Sequence, residues 1–176
     1  MGMNILSIDC DWVRSPEQAI ELVRLCKHYQ HNENVYFIKE HQTCANYIKP
    51  GDTLYNLDHH HDLGYNEWQS QNNGILGRAN WIRTLIQKNM LHGYVWIKNY
   101  DSHTHEDVFE ITKEIQRFNW FDDTSSLYNK DFDRIVVCES FCTTPEPYRI
   151  LFNMLKEVFE RYEVAEPENE MKNLQI

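Results

Sequence analysis

Short apolar runs in this chain stop abruptly at acidic or histidine residues, and that recurrence constrains the fold more than any other feature. The run from Asn4 to Ile8 ends in Asp9, Cys10 and Asp11; Val35 to Ile38 ends in Lys39, Glu40 and His41; Thr53 to Leu57 ends in Asp58, His59, His60, His61 and Asp62. Each run is too short for a helix and carries the side chains that suit a pleated, buried surface, so each reads as a strand with a polar rim. A further run, Asp133 to Cys138, ends the same way in Glu139. Between the first two runs, Ser15, Pro16 and Gln18 give a helix start with a serine cap, proline at the first turn and a glutamine placed for a capping box. Apolar positions then recur at helical spacing to about His28. A short helix is expected up to Ile48, stopped by Pro50 and Gly51.

Strands separated by helices imply crossover connections and a parallel sheet. The fold class expected is therefore α/β, a three-layer α/β/α arrangement around a mainly parallel sheet. In such sheets ligands gather outside the carboxyl ends of the strands, which is where the polar rims should meet. Later in the chain, Ala79 to Met90 reads as a helix, Tyr94 to Ile97 as a strand, and Pro145 to about Tyr162 as a helix. Residues 64–77 are polar and read as a loop over the same edge. The stretch from Asp101 to Asp133 leaves helix and strand both open, with some helical periodicity over Val108 to Phe118. The domain is expected to span residues 1–162, with 163–176 an acidic polar tail.

At 176 residues the chain is long enough for one domain with a sheet at its centre. No apolar run approaches the roughly 20 residues of a membrane span, and residues 1–8 lack the charged-then-apolar build of a secretory signal. The five cysteines are odd in number and never spaced as a metal knuckle. These features set the expectation of a cytoplasmic protein with reduced thiols and no membrane partner. A net charge of -10 without a Lys/Arg cluster argues against nucleic acid and suits a cationic partner or a bound metal.

The densest chemistry lies at Asp58 to Asp62. In an extended backbone Asp58, His60 and Asp62 would share one face and His59 and His61 the other. With Asp9, Asp11, His41 and Glu139 from other strand ends, six plausible metal ligands and one further carboxylate collect at one edge. Two divalent ions about 3.5–4 Å apart need such a mixture of carboxylates and imidazoles. A carboxylate-rich, thiolate-free set favours manganese over zinc.

Asp58-x-His60-x-Asp62 resembles the Asp-x-His-x-Asp motif of the arginase and agmatinase (ureohydrolase) family, and Ser7-x-Asp9-x-Asp11 resembles that family's Ser-x-Asp-x-Asp motif. His41 matches the family's separate histidine ligand. The resemblance implies two Mn2+ ions, one held by His41, Asp58, Asp62 and Asp9, the other by His60, Asp58, Asp9 and Asp11, with Asp9 and Asp58 bridging. Glu139 resembles the glutamate that accepts the substrate guanidinium, and the implied reaction is hydrolysis of a guanidinium to urea and ornithine. In that family the Ser-x-Asp-x-Asp motif comes late and the chain is longer, so the order here implies a circular permutation. Order and length are similar to small peptide arginases that convert arginine side chains of ribosomal precursor peptides to ornithine. The partner implied is thus an arginine-containing precursor peptide. The proton-shuttling histidine has no clear match; His59, His61 and His92 are candidates, and Asn80 is a candidate to line the site.

Two other readings share these residues. Asp58-His59-His60 with Asp9-x-Asp11 before it also fits a manganese phosphoesterase of the Asp-His-His type, although the acidic surroundings would repel phosphate. The same residues fit a non-catalytic metal-binding module that recognises a basic peptide. The oligomeric state is unknown from sequence.

Overall fold

A computed structural model describes residues 2–64, 77, 79–102 and 118–165. Its strands are β1 (Asn4–Asp9), β2 (Val35–Ile38), β3 (Asp52–Leu57), β4 (Leu91–Ile97), β5 (Phe118–Phe121), β6 (Arg134–Cys138) and β7 (Glu163–Val164). They form one sheet in the order β5-β4-β3-β1-β6-β2-β7, and every pairing is parallel. The helices are α1 (Pro16–His28), α2 (Trp81–Gln87) and α3 (Leu151–Val158).

Side-chain alternation along the strands divides the core in two. Leu6, Ile8, Phe37, Leu57, Ile135 and Val137 face α1 and α3, which cover them with Leu22, Leu25, Phe152 and Leu155. Ile5, Ile38, Leu54, Trp96, Val136 and Cys138 face the other way, beneath a 3-10 segment (His41–Tyr47) and α2. Each large side chain so buried contributes about 1.5–3 kcal/mol, and a sheet covered on both faces is what all-parallel pairing requires. From β1 the chain crosses to β2 on one side, while β3, β4 and β5 build outward on the other. The polar ends of β1, β2, β3 and β6, four adjacent strands, therefore project around the point where the strand order reverses.

Local details depart from the sequence expectations for identifiable reasons. Ser15 caps α1 by accepting the Gln18 N–H, but the Gln18 amide oxygen accepts from Arg14 N–H rather than closing a box on Ser15. The helix expected from Pro145 begins as a 3-10 turn at Glu146–Tyr148, because Pro147 disfavours the α conformation at the residue before it. It becomes α-helical only at Leu151 and ends at Val158, where Phe159 turns extended and packs against Phe37. The expected tail boundary at 163 falls inside the sheet: Glu163 and Val164 pair with Tyr36 and Phe37, and Ala165 N–H donates to Phe37 O. A two-residue strand has no periodicity to betray it; the unpaired edge of β2 selects it. Phe118–Phe121, left open by the sequence, is a strand against β4. The polar stretch 65–76, most of the periodic stretch up to 117 and the segment from 166 lie outside the described residues. Among the described residues no helix is long and apolar enough to cross a membrane.

Candidate metal centre

Asp9 is the last residue of β1, on the same face as Ile5 and Ser7. Its Oδ1 accepts the Asp11 N–H at 3.0 Å, which folds the next residues into a 3-10 turn and brings Asp11 over the sheet edge. Cys10, between them, is buried in the α1 side of the core. His41 opens the 3-10 segment after β2. Its Nε2 lies 2.7 Å from Ser7 Oγ, and its Nδ1 lies 3.0 Å from Asp9 Oδ2, 3.1 Å from Asp58 Oδ2 and 3.0 Å from Asp62 Oδ2.

The segment after β3 is not extended. The strand stops at Leu57, Asp58 Oδ1 accepts the His60 N–H at 2.9 Å in a local turn, and Asp62 adopts a left-handed φ of 55°. The alternating faces expected for residues 58–62 therefore do not form; a loop instead folds the three residues toward the edge separately. His60 Nδ1 meets Asp11 Oδ2 at 3.0 Å and Asp58 Oδ1 at 3.7 Å. Asp62 Oδ2 accepts Trp81 Nε1–H at 2.6 Å.

The result is two groups able to hold a metal ion, Asp9 with His41 and Asp58, and Asp11 with Asp58 and His60. Asp58 belongs to both and turns one carboxylate oxygen toward each imidazole. Asp62 belongs to neither group, although its Oδ2 lies 3.0 Å from His41 Nδ1. Asp9 was expected to bridge; the second group comes together without it, and its Oδ1 accepts the Asp11 amide.

Four buried carboxylates face two imidazoles, and the protonation equilibria show the imbalance. Burial alone would push the His41 imidazole down, but Asp9 and Asp58 raise it well above its ordinary value. Burial likewise opposes protonation of His60, yet its hydrogen bonds to Asp11 and Asp58 lift it to about 11. Burial and the nearby Asp58 push Asp62 up to about 8, and burial with Asp9 and Asp58 raises Asp11. Burial would raise Asp58 too, but His41 and His60 hold it well below the carboxylate range. The site thus takes up positive charge by whatever route is open.

Donor chemistry fits divalent metal. His41 Nδ1 has three carboxylate oxygens about it and makes an aligned hydrogen bond with none, and Asp11 Oδ1 is buried without a partner. Spacings of about 3 Å between such atoms are those of adjacent corners in octahedral coordination at about 2.1 Å. Oxygen-rich octahedral sites suit magnesium, calcium or manganese.

A cavity of about 300 Å³ opens onto this cluster, at the small end of ligand sites. Asp9, Asp11, His41, His60 and Asp62 form its floor, and Lys39, Glu40, Glu139 and the turn Ser140–Thr143 its walls. Glu139 is half-buried, held at the end of β6 by its N–H to Ile38 O.

The other sequence candidates do not line it. His61 is buried with its Nδ1 accepting Leu63 N–H and its ring against Trp96, which anchors the loop to the core. His59 sits on the far side of the loop, next to Asp101 and Ser102, and burial, then Arg14 and His60, lower it to about 4. Asn80 turns back to accept Gly77 N–H, and its neighbour Ala79 takes the place on the wall. His92 is exposed near the start of β4, the opposite end of the sheet.

Ser7, already part of the Ser-x-Asp-x-Asp motif, and three residues the sequence did not single out, Asn56, Trp81 and Ser140, hold the ligands in place. Ser7 and Asn56 are partners in register on β1 and β3, fully buried beneath the site, and they contact His41 and Asp58. Each stands two residues before a ligand, so period two could have marked them. Trp81 and Ser140 carry no such signal. Ser140, at φ 43°, donates to Asp9 Oδ2 at 2.8 Å.

Fold and site together define an α/β protein with a carboxylate–imidazole centre at the carboxyl edge of a parallel sheet. Compared with known proteins, the chain matches no family model, no curated protein and no solved structure.

Proposed function

We propose that the protein is a dinuclear manganese amidinohydrolase with a circularly permuted, arginase-like fold, converting arginine side chains of a precursor peptide to ornithine. The observation that carries this reading is Asp58, whose two oxygens face two separate imidazole-containing groups. Asp9, Asp58, Asp62 and His41 would hold one ion and Asp11, Asp58 and His60 the other. When bound, such ions supply Lewis acidity and acidify water at the site. The chain's own part is to bind and orient. Ser7 and Asn56 position ligands from below, Glu139 and Glu40 offer carboxylates to a guanidinium, and the cavity of about 300 Å³ has room for an arginine side chain. Water adds to the guanidinium carbon, the C–N bond to the ornithine nitrogen breaks, that nitrogen gains a proton, and urea departs. The free cysteines are compatible with a reducing, cytoplasmic setting.

Incubating the protein with Mn2+ and an arginine-containing peptide should release urea and leave a peptide lighter by the arginine-to-ornithine difference. Glu139→Gln should stop turnover while two manganese ions still bind; loss of the metal would refute the role given to Glu139. Phosphate release from a nucleotide, or metal binding with no turnover of any peptide, would replace the reading with a phosphoesterase or a metal-binding module.

A further inference from the structure

At the cavity mouth the turn after Glu139 presents three exposed residues, Phe141, Cys142 and Thr143. The turn is stiff. Thr143 N–H and Thr144 N–H both donate to Ser140 O, and Thr144 Oγ1 lies 3.0 Å from Glu139 O and 2.9 Å from Ser140 O. Ser140 is held in a left-handed conformation, and its hydroxyl ties the turn to Asp9 on the cavity floor. Phe141 is therefore fixed relative to the carboxylates below it although the residue is 52 % exposed. The Arg149 guanidinium lies 4.3 Å from the ring centroid, and its Nε donates to Thr144 O at 3.2 Å. The ring thus already packs against a guanidinium, and the residue stays half exposed in the lining of an acidic cavity.

We propose that Phe141 is a specificity-determining residue: the platform past which a cationic side chain enters, stacking its stem and guanidinium on the ring before the head reaches Glu139. This deepens the proposed function and rests on it for the identity of the side chain. Two features select this ligand. An aromatic face attracts a planar cation, whereas a neutral analogue of the same shape gains only apolar contact. The cavity, at about 300 Å³, is small beside a peptide, so the chain flanking the inserted side chain would run past its lining turn, Phe141 to Thr143. Arg149 makes the platform rigid by covering part of the ring, which reduces the ordering cost when substrate arrives.

The test uses manganese-loaded full-length protein, a fluorescently labelled peptide containing one arginine, and the same peptide with citrulline in its place. Fluorescence anisotropy should show the arginine peptide binding more tightly than the citrulline peptide. Phe141→Ala should weaken the arginine peptide about fivefold, Phe141→Trp should retain or improve it, and Mn2+ affinity should stay unchanged in both. In turnover, the loss should fall on KM with kcat kept within about twofold. Equal affinity of Phe141→Ala and wild type for the arginine peptide, equal affinity of wild type for the two peptides, or a loss of Mn2+ in the variant would overturn the proposal. Arginine-selective binding that depends on Phe141 but yields no urea would uphold the platform and refute the hydrolase reading instead.

Discussion

Replacing Ser7 by alanine should separate what holds the metal ligands from what holds the fold. Ser7 and His41 are both buried, and Ser7 Oγ is 2.7 Å from His41 Nε2. For Nδ1 to offer a lone pair to a metal, the ring proton must sit on Nε2, and the hydroxyl is the acceptor that keeps it there. In Ser7→Ala that N–H is buried without a partner, which costs about 1–3 kcal/mol. The cost falls on the protein with or without metal, so by itself it leaves affinity unchanged. The further loss of tautomer and ring orientation should weaken Mn2+ binding about 10- to 100-fold, the effect seen when a ligand's supporting hydrogen bond is removed. Isothermal titration with Mn2+ measures the affinity, and urea unfolding in EDTA measures the stability. Ser7→Thr keeps the hydroxyl while its extra methyl costs about 1–3 kcal/mol in a packed core. It should lose stability yet retain affinity. If folded Ser7→Ala binds Mn2+ within twofold of wild type, the hydroxyl does not set the ligand and the reasoning fails.

If the proposed dinuclear hydrolase reading holds, Asp58→Asn should bind at most one manganese per chain and release no urea, since both groups lose the carboxylate they share; a variant that still binds two ions by titration would sink the bridging role. The metal-free protein should lose stability as pH rises from about 6.5 to 8.5. Asp62 and His60, raised to about 8 and about 11, contribute below their unfolded values of about 3.9 and 6.5 and lose that contribution as pH climbs through the folded ones. Asp58, held low, acts oppositely and only under the carboxylate range. Urea midpoints in EDTA at the two pH values check this, and a flat or rising trend contradicts it; Mn2+ affinity should increase over the same interval as these protons are displaced.

Much of the arrangement was legible in the chain because local signals and fold agreed. Strand runs ending in Asp9, His41, Asp58 and Glu139, with helices between, require a parallel sheet whose polar ends share one edge, since alternation and burial are properties of short segments. The sequence therefore determined which residues could meet. Tertiary structure decided how they meet. The order β3-β1-β6-β2 places those four ends side by side, and strand order depends on long-range pairing that no window of residues contains. The loop from Asp58 to Asp62 left the extended state because the Asp58 carboxylate captures a backbone amide and Trp81, from a later helix, captures Asp62. His59 and His61 were consequently turned away from the cavity despite standing among its ligands in sequence. Ser140 acquired its role only through a partner 131 residues away, by a hydrogen bond to Asp9 at the edge of the folded sheet.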